Sequence, residues 1–149
     1  MADRERLIGV EPSMWFVVFK RRSPLWWVRL LAAGEFRHVS AFGWVPDQRV
    51  WLFYDVGVFR TRIAVLPASE AAEADIADLE EDAAVIAFAP RGDRVRWWRP
   101  GFWCVPAIAH LVGVSGAPMR PDALYRALLR EGGAVCGASP PPAEELAVT

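Results

Sequence analysis

The chain has 149 residues, enough for one domain that buries its own core without metal or disulfide staples. Seventeen basic residues against 18 acidic ones leave a net charge of −1, which gives no electrostatic pull towards nucleic acid or anionic lipid. With 54% hydrophobic and 23% charged residues, disorder over most of the length is excluded, and a structural zinc site would consume both cysteines and both histidines.

In chain order, Met1 to Arg6 mixes both charge signs and leads into no apolar run, so no secretory leader is expected and a cytoplasmic protein is the default. Residues 1–13 read as a lead-in, 14–136 as a single domain and 137–149 as a disordered, Pro-rich tail. Met14-Trp15-Phe16-Val17-Val18-Phe19 is a short apolar run of aromatic and β-branched residues, the pattern of a buried strand. Lys20 to Pro24 breaks it, and Leu25 to Ala33 predicts a short helix closed by Gly34. Phe36 to Val45 and Val50 to Val56 read as the two strands of a hairpin around Pro46-Asp47-Gln48-Arg49, and Val58 to Leu66 as a further strand.

Ser69 predicts the N-cap of a helix running to about Glu81, with Ala72, Ile76 and Leu79 as its thin apolar stripe. Seven acidic residues and no basic one fall between Glu70 and Asp82; a solvated helix face accounts for them more simply than a docking face. Ala84 to Ala89 and Arg94 to Trp98 read as strands. The Arg94 to Arg99 stretch alternates arginine with tryptophan, but the net charge favours an ordinary strand over a nucleic-acid surface. A helix is expected from Cys104 to Gly113, apolar on almost every side, with Pro106 tolerated in its first turn. A last helix runs from Pro121 to Glu131 with Leu124, Ala127 and Leu128 inward. The stretch from Gly101 to Met119 is broken by Pro106, His110 and Ser115, so no stable membrane insertion is expected. Helices and hairpin-type strands are mixed, which predicts an α+β fold: an antiparallel sheet packed on the buried helix that Cys104 opens.

Cys104 is the candidate nucleophile. First-turn N–H groups and the helix dipole stabilise a thiolate there, and the same N–H groups can hold an oxyanion. A cysteine nucleophile needs a base, and His38 lies at the start of the first hairpin strand. If the turn centres between Asp47 and Gln48, Ser40 faces Asp55 and His38 faces Gly57, which makes Asp55 a diagonal neighbour of His38 on one sheet face. A slip of one residue would bring Tyr54 there instead, so Asp55 is the preferred third group and Tyr54 the alternative. Trp103, Trp98 and Tyr54 are candidates to line a substrate groove. His110 and Cys136 read as bystanders, the first at a helix C-terminus and the second in a Gly-rich exit.

The order His38, Asp55, Cys104 resembles that of the circularly permuted papain-like fold, which includes permuted NlpC-type peptidases and amidases and the lecithin–retinol-acyltransferase-like proteins. The segments that carry the resemblance are Phe36-Arg37-His38-Val39, Trp51-Leu52-Phe53-Tyr54-Asp55 and Phe102-Trp103-Cys104-Val105-Pro106, within a span of residues 14 to 131. They are also similar to those of small bacterial and phage proteins of unknown function. The resemblance implies a thioester on Cys104, a base at His38, an orienting group at Asp55, and an amide or ester substrate such as a peptide, a peptidoglycan fragment or an acyl group. It implies no cofactor and no metal. Val105-Pro106 directly after the cysteine departs from the pattern. The alternative reading is a non-catalytic structural or binding module of a bacterial or phage assembly with the same fold.

Overall fold

Apolar runs without strict alternation, such as Trp15 to Phe19, belong to strands covered on both faces. The computed structural model, which describes residues 11–23, 34–57, 59–91 and 101–137, shows this arrangement. The strands are β1 (Met14–Lys20), β2 (His38–Val45), β3 (Val50–Val56), β4 (Thr61–Pro67), β5 (Ala83–Phe88) and β6 (Ala134–Val135). The helices are α1 (Glu70–Glu80), α2 (Cys104–Val112) and α3 (Pro121–Arg130). The fold is α+β, with one six-stranded sheet in the order β4-β3-β2-β1-β5-β6 and every neighbouring pair antiparallel.

The two faces of the sheet carry separate cores. Trp15, Val17, Phe19, Val39, Ala41, Ile86 and Phe88 point to one face and pack with Val105, Ile108, Val112, Leu124 and Leu128 of α2 and α3. Phe16, Val18, Phe42, Trp44, Trp51 and Val85 point to the other and pack with Ala72 and Ile76 of α1. The result is three layers, with α1 on one side of the sheet and α2 and α3 on the other.

The β2–β3 hairpin has the register expected from its turn, from Ser40 opposite Asp55 to Val45 opposite Val50. β4 begins at Thr61 rather than Val58, because the Gly57 N–H donates to the Arg60 carbonyl at 2.9 Å and closes the connection. Ser69 caps α1 by accepting from the Ala72 N–H. α2 begins at Cys104, with Pro106 in the first turn where its missing N–H costs nothing. It ends at Gly113 in the left-handed conformation (φ 76°), where a Cβ would meet the Arg91 carbonyl oxygen at 2.8 Å. Leu124, Ala127 and Leu128 of α3 face inward as expected.

β6 is an addition to the expected elements. It pairs with β5, and the Cys136 N–H donates to the Val85 carbonyl at 2.9 Å. Cys136 is therefore half-buried against the α1-side core rather than loose in an exit segment. Burial pushes its thiol up from the ordinary value. The helix expected over 25–33, the strand expected over 94–98 and the tail beyond 137 lie outside the described residues. No helix among the described residues is long and apolar enough to cross a membrane.

Candidate active site

His38 is the first residue of β2, and the chain leading to it is held from three directions. The Arg37 N–H donates to the Lys20 carbonyl at 2.8 Å. The Glu35 and Phe36 N–H groups donate to the two carboxylate oxygens of Asp122, at 2.9 and 3.4 Å. Asp122 stands in the first turn of α3, where the helix dipole favours negative charge. Gly34 (φ 122°) permits this approach, since a Cβ at that position would collide with the Asp122 carboxylate. Buried Phe36 then packs against Phe19 and Tyr125, with ring centroids 5.3 and 5.1 Å away.

Asp55 comes from β3. Its register opposite Ser40 and the period-two alternation place it beside His38 on the α1 side of the sheet. His38 Nε2 lies 2.7 Å from Asp55 Oδ1, with both side chains partly exposed, at 31% and 47%. Burial is the largest influence on the imidazole and pushes its pKa down. The hydrogen bond to Asp55, the interaction with the Cys104 thiol and the accompanying charges outweigh it and raise the pKa to about 9. The ring is thus protonated at neutral pH, and its Nε2–H donates to Asp55. The same hydrogen bond holds the Asp55 carboxyl below the usual range against partial burial, and the charges of His38, Arg62 and Arg60 act in the same direction.

Cys104 reaches the ring from the opposite layer. It is the first residue of α2 and half-buried against the α2–α3 core. Its side chain lies near enough to the ring to be one of the groups that raise the His38 pKa. Asp55 engages the Nε2 of that ring. The contact between layers forms at an end of the sheet, because His38 lies beyond the Ser40–Asp55 pair where the β2–β3 ladder stops. No side chain caps α2, so its first-turn N–H groups remain directed at the helix start beside Cys104.

The remaining expected residues separate. Trp103 is the N-cap residue of α2, 42% exposed; its indole N–H donates to the Met119 carbonyl at 3.2 Å and its ring lies against Gly101. It stands next to Cys104 as the sequence requires. Tyr54 packs on the α2–α3 core, on the opposite sheet face from Asp55, so Asp55 and not Tyr54 orients the imidazole. Trp98 lies outside the described residues. His110 is exposed in the last turn of α2, where the dipole favours it, away from Cys104. Two residues that the sequence reading does not single out also bear on the site: Asp122, which fixes the approach to His38, and Ser40, buried opposite Asp55. Asp122 is visible in sequence only as an acidic residue in a helix first turn.

No family model, curated protein or solved structure matches this chain. Among the described residues no group of three His, Cys, Asp or Glu side chains is placed to hold a metal ion. What the arrangement offers chemically is a thiol near an imidazole of raised pKa, with a carboxylate hydrogen-bonded to the ring Nε2.

Proposed function

We propose that the protein is a cysteine-dependent hydrolase or acyltransferase of the permuted papain-like type, acting in the cytoplasm on an amide or ester such as a peptide, a peptidoglycan fragment or an acyl group. The observation that carries this reading is the imidazole of His38, held by Asp55 at 2.7 Å, with Cys104 near enough to be among the groups that raise its pKa. A thiol alone is poorly nucleophilic, and an adjacent imidazolium stabilises the thiolate that reacts.

The reacting form of the pair in this proposal carries the proton on His38 and the negative charge on Cys104. The sulfur attacks the substrate carbonyl carbon, an S–C bond forms, and the carbonyl π electrons move to oxygen. That oxyanion faces the uncapped first-turn N–H groups of α2. Its collapse breaks the bond to the leaving amine or alcohol, which takes the His38 proton. Neutral His38 then accepts a proton from water or from an acceptor amine or alcohol as it attacks the thioester. Expulsion of the Cys104 thiolate releases the acid or the transferred acyl product and restores the ion pair. Asp55 stays ionised throughout and keeps the ring oriented.

Alkylation by iodoacetamide across pH, with the modified cysteine located by mass spectrometry, tests the pair. A Cys136→Ser background leaves Cys104 as the one thiol. Labelling of Cys104 faster than that of an ordinary free thiol is expected at neutral pH, and His38→Ala should restore the ordinary profile. An ordinary profile in the parent protein, unchanged by His38→Ala, would overturn the catalytic reading and favour a non-catalytic binding module on the same fold.

A further inference from the structure

The α1 side of the sheet holds a second feature that the proposed chemistry leaves unused. A cleft of about 260 Å³ lies between α1 and the α1-side faces of β2, β3 and β4. Ser40, Asp55 and Arg62 line it from the sheet, and Asp75 and Asp78 line it from the helix. Ser40 is 3% exposed, and its hydroxyl has no hydrogen-bond partner among the described residues. A buried hydroxyl left unpaired is destabilising, so a bound group that accepts from it or donates to it would be favoured there.

The charges on the two walls differ. On the sheet wall Asp55 is balanced by His38 and by Arg62, its cross-strand partner. On the helix wall neither Asp75 nor Asp78 forms an ion pair among the described residues. A cation beside that wall, the Lys20 ammonium, donates to the Asp78 and Glu81 backbone carbonyls at 2.8 and 3.4 Å rather than to a carboxylate, and Arg62 belongs to the sheet wall. The unmet demand is thus for positive charge at the helix wall and for a hydrogen-bonding group at Ser40. Among the described residues no three acidic side chains converge closely enough for a metal ion, so the cation considered is a larger, organic one.

We infer that this cleft binds a small organic ammonium ion, its charge against Asp75 and Asp78 and its second polar group on the Ser40 hydroxyl. The cleft lies on the sheet face opposite α2, so the site stands whether or not Cys104 is a nucleophile. Because Asp55 lines the cleft and also holds His38, occupancy should be felt at the imidazole.

Ethanolamine, which carries an ammonium and a hydroxyl, is the probe, and ethylene glycol is its neutral control. Titration of the full ¹⁵N-labelled chain should give saturable amide shifts at Ser40, Asp75 and Asp78. Saturation is expected in the millimolar range, the scale for a ligand of so few heavy atoms. The His38 ring signals should move with them. Asp75→Asn with Asp78→Asn, on the exposed side of the helix, should weaken binding about tenfold or more. Ser40→Ala should weaken binding while leaving the protein at least as stable. Cys104→Ser should leave binding unchanged, which separates this site from the proposed reaction. Absence of saturable shifts, equal shifts with ethylene glycol, or binding insensitive to the paired aspartate change would each overturn the inference.

Discussion

His38 keeps its proton because two partners oppose the burial that would remove it. Asp55 is the first of them, so Asp55→Asn should bring the imidazole midpoint well below its raised value of about 9. The measurement is an NMR titration of the ring protons; a parent midpoint near the ordinary 6.5 would contradict the geometry. The same shifts fix how stability depends on pH. A histidine whose pKa is raised on folding contributes fully below its unfolded value of 6.5, and that contribution disappears as pH rises towards 9. An aspartate whose pKa is lowered contributes above its unfolded value of 3.8 and loses that contribution as pH falls further. The difference in Tm between the parent and His38→Gln should therefore be largest between about pH 4 and 6.5 and shrink through pH 9. The pairing of His38 with Asp55 was legible in sequence, because a hairpin turn fixes which side chains share a face. The unpaired hydroxyl of Ser40 was not, since alternation gives the face of a residue but not the hydrogen bonds left over once that face is covered.

At the scale of elements, the order of the strands and helices follows from apolar period and breakers, and the departures from expectation have local causes. β4 starts late because the Gly57 N–H is committed to the Arg60 carbonyl ahead of it. β6 escapes the sequence because two exposed residues, Ala134 and Val135, carry no periodic signal; their pairing with β5 is set by the chain returning from α3. The alternation also assigns His38 to the α1 face while Cys104 belongs to the opposite layer, so their meeting at a sheet end lay beyond pattern reading. What holds that end in place is the Asp122 carboxylate at the start of α3, which accepts from two backbone N–H groups of the segment entering β2. Asp122→Ala leaves those donors without their charged acceptor and should cost about 2 kcal/mol in chemical denaturation. Loss of the carboxylate should also broaden the His38 ring signals, because the strand that carries the ring is no longer anchored from behind. An unchanged denaturation midpoint with unchanged His38 signals would remove Asp122 from the positioning of the site.

At the scale of the whole molecule, one sheet shared by two cores makes the layers interdependent. Phe42, fully buried on the α1 side, stacks on Phe16 with centroids 5.1 Å apart and neighbours Trp51 and Phe53 at 5.8 and 6.0 Å. Ile108, fully buried on the other side, belongs to α2 and the core it shares with α3. Phe42→Ala should cost about 3–5 kcal/mol and Ile108→Ala about 2–5 kcal/mol, each from lost burial and the cavity left behind. These losses are large against a total stability on the order of 5–15 kcal/mol. The two residues lie in different clusters and share no side-chain partner, so their costs should add to within about 0.5 kcal/mol. Both truncations should nevertheless lower one and the same transition, because β1, β2 and β5 carry side chains of both cores and neither layer keeps its sheet if the other melts. Tryptophan fluorescence reports from both sides, through Trp15 in one core and Trp44 and Trp51 in the other, while far-UV circular dichroism reports the backbone. Coincident transitions by the two probes in the parent and in each variant are the expected result. Separate fluorescence and dichroism midpoints in Phe42→Ala alone would mean that α1 and its core detach from a sheet that α2 and α3 can hold by themselves.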